Sequence, residues 1–244
     1  MKTSSESTSK TASKTLVITG ASKGIGRATA LKFCDAGYRV INLSRSPAKD
    51  KRIENHRIDL AADNADHELK LILDEILEAG EIILVHNAAT LINDSVLDMD
   101  TDNFRRTINL NVIAPHIVNQ VVLNRMQPGS AVIYIGSTLS EKAVANSFSY
   151  VTSKHAVVGM MRASCQDLAG TGIHTTCICP GFTNTEMLRA HVSNDQEILD
   201  SLGGLSTFGR LITPEEIADT IFFVAEHPVL NGAVIHANLG QIES

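Results

Sequence analysis

With 244 residues, 43% of them apolar, and a formal net charge of −6, the chain is sized for one α/β domain with a sizeable core. The acidic balance and the lack of any Lys/Arg block argue against a nucleic-acid surface, and no run of about 18 apolar residues is available to span a membrane. Four cysteines, Cys34, Cys165, Cys177 and Cys179, show no metal-ligand spacing, so no metal site is expected.

The opening stretch, Met1 to Lys14, is rich in Ser, Thr and Lys and lacks the apolar segment of a secretory signal. Residues 1–13 are expected to form a disordered polar tail ahead of a single domain over 14–244. A cytoplasmic setting is the corresponding expectation. Leu16-Val-Ile-Thr19 is a short apolar strand that runs into Gly20-Ala-Ser-Lys-Gly24-Ile-Gly26, and a helical pattern continues through about Ala36. Strand, glycine turn and helix bring backbone N–H groups and a helix N-terminus against a pyrophosphate. Outside that placement the same glycines would be only a glycine-rich loop, and their G-x-x-x-G-x-G spacing differs from the general G-x-G-x-x-G fingerprint.

Arg39–Ser44 is the second strand. An acidic residue at its end would hydrogen-bond a ribose 2′-hydroxyl and repel a 2′-phosphate. Ser44-Arg45 stands there instead, and Lys23 precedes the second glycine. Two cations beside the adenosine ribose favour NADP(H) over NAD(H); the alternative is a pair of solvated surface charges.

His56–Leu60 is a short third strand with Asp59 near its end, and Asp66–Ala79 an amphipathic helix. Glu81–His86 is a buried strand leading into Asn87-Ala-Ala-Thr90. The apolar pattern predicts one long helix from Thr101 to about Gln127. Inside it, Asn109 and Asn111 compete with helical hydrogen bonds and predict a kink or a bound water.

Ala131–Ile135 is the next strand, with Ser137 just past its end, and a helix bearing Tyr150 and Lys154 continues to about Ala169. Ile173–Cys179 is strand six, with Cys177 and Cys179 on one side of it. Residues 186–210 read as a long lid or binding loop with a short amphipathic run from Ile198 to Leu202. Thr213-Pro-Glu-Glu216 is a capping box that opens the last helix, and Gly232–Ala237 closes the chain. Strand–helix alternation with mostly continuous apolar strands implies a parallel sheet covered on both faces. The expected class is α/β, a single Rossmann-type, doubly wound domain.

Tyr150 and Lys154 stand four apart on one helix, so their polar ends can serve one site. A phenol in water ionises near pH 10, about pKa 10, and a cation held nearby favours the phenolate, which makes the oxygen a usable proton donor and acceptor. Ser137 lies where it can hydrogen-bond a carbonyl or alcohol beside Tyr150. Alone, Tyr-x-x-x-Lys is common on helix surfaces; the glycine turn gives it weight.

Together these residues resemble the short-chain dehydrogenase/reductase family over nearly the whole chain beyond the tail. Thr19-Gly20-x-x-x-Gly24-x-Gly26 is similar to its cofactor turn, with Ser22, Lys23 and Ile25 inside it, and Asp59-Leu60 to its adenine-contacting pair. His86-Asn87-Ala88-Ala89 is similar to its Asn-Asn-Ala-Gly motif, with His86 in place of the first Asn and Ala89 in place of the Gly. The resemblance implies a catalytic quartet of Asn109, Ser137, Tyr150 and Lys154. It also implies nicotinamide-end contacts from Pro180, Gly181, Thr183 and Thr185, and an NADP pattern in Lys23 and Arg45.

A seven-stranded sheet in the order 3-2-1-4-5-6-7 follows from the resemblance, as does a homodimer or homotetramer built through helices four and five. Asn238-Leu239-Gly240 departs from the family's usual C-terminal pattern. The expected reaction interconverts a small-molecule ketone or aldehyde and its alcohol. Leu139, Val144, Phe148, Phe182, Met187 and Leu188 are the expected pocket residues, whereas His174 and His191 read as surface or structural. The competing readings are an NADP(H)-binding sensor or scaffold without turnover and, less favoured, a sugar-nucleotide epimerase or dehydratase.

Overall fold

The computed structural model describes residues 14–242. The expected polar tail over 1–13 and the last two residues lie outside the described residues. Seven parallel strands form one sheet in the order β3-β2-β1-β4-β5-β6-β7: β1 Thr15–Thr19, β2 Arg39–Ser44, β3 Ile53–Arg57, β4 Ile82–His86, β5 Ala131–Ile135, β6 His174–Pro180 and β7 Val234–Ala237. Strand order reverses between β1 and β4, which opens a crevice at the C-terminal ends of those strands.

Helices cover both faces because the central strands are apolar on both. On one face Val17, Leu84, Val132 and Tyr134 pack against Leu69 and Leu73 of α2 (Ala65–Ile76), Val118 of α4 (Ala114–Val122) and Met161 of α5 (Phe148–Asp167). On the other, Leu16, Ile18, Val40 and Ile133 meet Phe33 of α1 (Gly24–Asp35) and Ile221 of α8 (Pro214–Ala225). Phe33 is fully buried and sits edge-on to Tyr38 and Phe222, with ring centroids at 4.9 and 5.0 Å. Truncating such a side chain typically costs about 3–5 kcal/mol.

The third strand is not the expected His56–Leu60 but Ile53–Arg57, paired in register from Val40↔Ile53 to Ser44↔Arg57. It is an edge strand, and of its five residues only Ile53 is buried, so hydrophobicity did not mark it. The buried Ile58 and Leu60 lie just past its end.

The long helix expected over 101–127 runs as four consecutive segments. Helix α3 (Thr101–Ile108) passes through a π turn at Asn109–Ile113 into α4, and a 3₁₀ turn follows at Leu123–Arg125. Ala114 N–H reaches back five residues to the Asn109 carbonyl. Asn111 is the cause. Its side chain accepts from Thr90 N–H at 2.9 Å and donates to the Thr90 carbonyl at 3.0 Å and Ser153 Oγ at 2.9 Å, which ties the turn to the loop after β4 and to α5.

The region expected as a long loop over 186–210 holds two short helices, α6 (Glu186–His191) and α7 (Gln196–Gly204). Each is capped. Thr185 Oγ1 accepts from Leu188 N–H, and Asp195 Oδ1 accepts from the N–H groups of Glu197 and Ile198. Both caps are of the residue types that satisfy free N–H groups at helix starts.

Candidate active site

A cavity of about 700 Å³ runs along the C-terminal ends of the strands. The glycine turn between β1 and α1 lines it, between residues from the ends of β2 and β3 on one side and of β4, β5 and β6 on the other. Gly20 and Gly24 hold φ of +75° and +56°, which glycine adopts without strain. At Gly26 any Cβ would lie 2.3 Å from the Gly20 carbonyl and 2.5 Å from Asn87 Nδ2, so only glycine lets α1 approach the turn.

Two side chains from neighbouring strands hold the turn. Asn42 Oδ1 in β2 accepts from Ala21 N–H at 2.9 Å. Asn87 Nδ2, just after β4, donates to the carbonyls of Thr19 and Gly20 at 3.0 and 2.9 Å. Gly20, Ser22, Lys23, Gly24 and Ile25 line the cavity, while Gly26 is packed beneath it.

Ser44, Arg45, Asp59 and Leu60 form the next stretch of wall. Asp59 is paired with Arg106 at 3.2 Å. Burial pushes its carboxyl up, but the Ala61 N–H and Arg106 outweigh that and hold it below the ordinary carboxylate value. Asn87, Ala88 and Ala89 line the middle, and Pro180, Gly181, Thr183 and Thr185 the far side.

Ser137, Tyr150 and Lys154 meet on the same wall. Ser137 Oγ accepts from Leu139 N–H at 3.1 Å, which leaves its own proton to donate. The preceding Gly136 is bare for a reason: a Cβ there would lie 2.8 Å from the sulfurs of both Cys177 and Cys179, which share one side of β6 as expected. Lys154 is buried, its Nζ donating to the Ile135 carbonyl at 2.6 Å and lying 5.5 Å from the centre of the Tyr150 ring. The start of α5 is anchored by the buried Asp94, which accepts from Ser149 N–H at 3.0 Å and from the Ser149 hydroxyl.

Asn109 begins the π turn and is half-buried, off the cavity wall. Leu139, Val144, Phe182, Met187 and Leu188 line the cavity. Phe148 does not: it stacks on Phe104 at 5.7 Å, because the turn of α5 that aims Tyr150 inward aims Phe148 at α3. His174 is buried with Nε2 on the Val224 carbonyl, a structural histidine. His191 lines the cavity, as do Glu186, Ile198, Leu202 and Gln241. Sequence periodicity carried a signal for Ile198 and Leu202, but none for Gln241, which arrives from beyond β7.

The cradle suits a dinucleotide. Its glycine turn bars side chains and opens onto a helix N-terminus, and its cations Lys23, Arg45 and Lys154 stand along one cavity. A family model described as enoyl-(acyl carrier protein) reductase matches residues 20–241. The chain belongs to the short-chain dehydrogenase/reductase family. It is 30% identical to an NADPH-dependent aldehyde reductase 2, chloroplastic, of Arabidopsis thaliana, over 94% of each chain. It is 31% identical to a 3-oxoacyl-[acyl-carrier-protein] reductase FabG of Vibrio harveyi, over 93% of this chain and 97% of the relative.

Among solved structures, the angucycline C-6 ketoreductase LanV with bound NADP superposes with a TM-score of 0.82 at 27% identity, covering 93% of this chain and 95% of that one. A 4-hydroxyisoleucine dehydrogenase complexed with NADH shares the fold with a TM-score of 0.83 at 23% identity, over 93% and 98%. This short-chain dehydrogenase/reductase is thus an oxidoreductase that works with a nicotinamide cofactor. Among its described residues no helix is long and apolar enough to cross a membrane.

Proposed function

We propose that the protein reduces a ketone or aldehyde to its alcohol with NADPH, and catalyses the reverse oxidation. The observation that carries this reading is the convergence of Ser137, Tyr150 and Lys154 on the wall that also bears the glycine turn. The names of relatives support a carbonyl substrate, one being an NADPH-dependent aldehyde reductase and another a 3-oxoacyl reductase.

In this reading Gly20, Ser22, Gly24 and Ile25 hold the pyrophosphate. Lys23 and Arg45 hold the 2′-phosphate by charge-assisted bonds, and Asp59 and Leu60 flank the adenine. Pro180, Gly181, Thr183 and Thr185 hold the nicotinamide end, beside Asn87, Ala88 and Ala89. When bound, the nicotinamide supplies or accepts the hydride.

The remaining work falls to the chain's own groups. Ser137 donates a hydrogen bond from its hydroxyl to the substrate carbonyl oxygen and polarises it, keeping its own proton. Tyr150 gives its proton to that oxygen as the carbon is reduced, and the positive charge of Lys154 stabilises the negative charge left on the phenolic oxygen. Lys154 has N–H groups beyond the one on Ile135, and these hold the cofactor ribose. The Tyr150 phenolate then takes a proton from the Lys154 ammonium, and Lys154 recovers one from solvent through a water that Asn109 anchors. Two or four copies associate through α4 and α5, and Ile113, the last residue of the π turn just ahead of α4, is exposed.

The test is absorbance at 340 nm with NADPH or NADH and a panel of ketones, aldehydes and quinones. Consumption of NADPH with at least one carbonyl is expected. Tight nucleotide binding with no consumption across the panel would favour a sensor or scaffold instead.

A further inference from the structure

Arg106 lies off the main cavity wall, yet its side chain reaches a group that lines it. It stands on α3, whose start is capped by Asp100, accepting from Asn103 N–H at 2.9 Å, and whose far end is tied down through Asn111. From there Arg106 Nη2 donates to Asp59 Oδ2 at 3.2 Å, the side chain's one hydrogen bond among the described residues. A second cavity of about 210 Å³ opens beside Arg106, between α3 and the loop after β4, and it shares Arg45 and Leu110 with the first.

This ion pair does little for folding. Its side chains are 55% and 38% exposed, and pairs that open to water add little to stability. Its consequence is for the direction of the carboxylate. Asp59 sits between the buried Ile58 and Leu60, and its carbonyl accepts from Ala62 N–H at 3.0 Å, so its backbone is fixed. Asp59 Oδ1 accepts from Ala61 N–H at 3.1 Å, while Oδ2 takes Arg106. With both oxygens held, the carboxylate cannot turn about its last bond without losing a partner. Each oxygen keeps a lone pair, and an ionised carboxylate can only accept.

We propose that Arg106 is a positioning residue of the cofactor site. By fixing Asp59 Oδ2 it makes the cavity select a base that offers a hydrogen-bond donor, the 6-amino group of adenine, over a base that offers an acceptor there. The inference rests on the placement of the adenine beside Asp59 and Leu60 in the reading above, and adds to it a residue from outside the cavity wall. A site built to pair a donor rejects the analogue that lacks it, because its own acceptor is left unpaired.

Fluorescence titration of NADPH and of its hypoxanthine analogue, deamino-NADPH, tests it. The two nucleotides carry the same charge and differ only in the base, where the amino donor becomes a carbonyl oxygen and N1 gains a proton. The ratio of their Kd values therefore cancels general effects of charge and folding. The wild type is expected to favour NADPH by about tenfold, the size of one hydrogen bond to a charged group. In Arg106→Leu that preference is expected to fall to about two- or threefold, and in Arg106→Lys, which keeps a donor within reach of Asp59, to recover in part. In an Asp59→Asn background, Arg106→Leu is expected to change the ratio by less than about twofold, because the carboxylate it aimed is gone.

A wild-type preference that Arg106→Leu leaves unchanged would overturn the proposal. So would an equal fall in the Asp59→Asn background, which would mean that Arg106 meets the base itself. Equal affinity of the wild type for the two nucleotides, with NADPH still consumed alongside a carbonyl, would overturn the proposal and leave the reductase reading standing. A preference that depends on Arg106, with no NADPH consumption across the carbonyl panel, would uphold the proposal and contradict turnover alone. Binding of neither nucleotide would overturn both.

Discussion

Nε2 of His86 faces Oδ1 of Asn119 at 2.8 Å, and Asn119 Nδ2 is already committed to the Tyr134 hydroxyl at 2.7 Å. The histidine must therefore be the donor, with its proton on Nε2 and a buried Nδ1 that has no partner among the described residues. Burial depresses its pKa to about 4, a fall only partly offset by the bond to Asn119. The folded state thus holds His86 neutral, while the unfolded chain takes up a proton near the ordinary value of about 6.5. Its stabilising contribution is complete above that value. It is lost as pH falls toward 4, by on the order of 3 kcal/mol. His174 is depressed in the same direction by burial. Urea unfolding of the wild type is expected to lose stability between pH 7 and pH 4.5. His86→Asn, which keeps a donor for Asn119, is expected to lose less by roughly that amount, and an identical pH slope in the two proteins would contradict the assignment.

Lys23 and Arg45 belong to the same scale. If they meet a 2′-phosphate, the double variant Lys23→Ser/Arg45→Ala should weaken NADPH far more than NADH, by about 10²-fold or more for two charge-assisted contacts of about 1.5–3 kcal/mol each. Direct titration of both nucleotides checks it. An equal loss for the two would mean that these side chains act as general surface charge.

At the scale of elements, α5 is held from outside itself. Ser147, just ahead of its first residue, supplies no side-chain cap; the cap comes from Asp94, on the loop after β4, which accepts from Ser149 N–H. A carboxylate there also faces the positive end of the helix dipole. Asn111 fastens the next turn through Ser153. Asp94→Ala should cost about 2 kcal/mol and lower turnover by loosening Tyr150, with Asp94→Asn recovering most of both because its oxygen still accepts from Ser149. Thermal melts and steady-state kinetics on the two variants decide it, and equal losses in both would show that acceptance from Ser149 N–H is not what matters.

Elements also show where sequence patterns run out. Central strands announced themselves because both faces are buried and the runs are continuously apolar, whereas β3 is polar and was displaced by the apolar Ile58 and Leu60 beyond it. An irregularity near Asn109 and Asn111 was legible as a conflict between amide side chains and helix, expected there as a kink or a bound water. Its π form was not, since it depends on Thr90 and Ser153 from elsewhere in the chain. Helices α6 and α7 had caps at Thr185 and Asp195 but little length, so glycines and polar residues there outweighed them.

For the whole molecule, the reversal of strand order between β1 and β4 creates the crevice, and the loops at the strand ends furnish its walls. Motifs close in sequence, the glycine turn and the Tyr150–Lys154 pair, are legible in the sequence because each carries its own spacing. Glu186 and His191 fall within the stretch read as a lid or binding loop but carry no spacing of their own, and Gln241 carries no signal at all, because only tertiary packing brings it to the wall.

The central claim is that the Tyr150 hydroxyl transfers a proton within that cavity, and Tyr150→Phe measured beside the wild type tests it most directly. With NADPH saturating and its dissociation constant unchanged, the variant's turnover of a carbonyl substrate is expected to fall by about a hundredfold or more. Turnover at the wild-type rate, with the same cofactor affinity, would contradict the account.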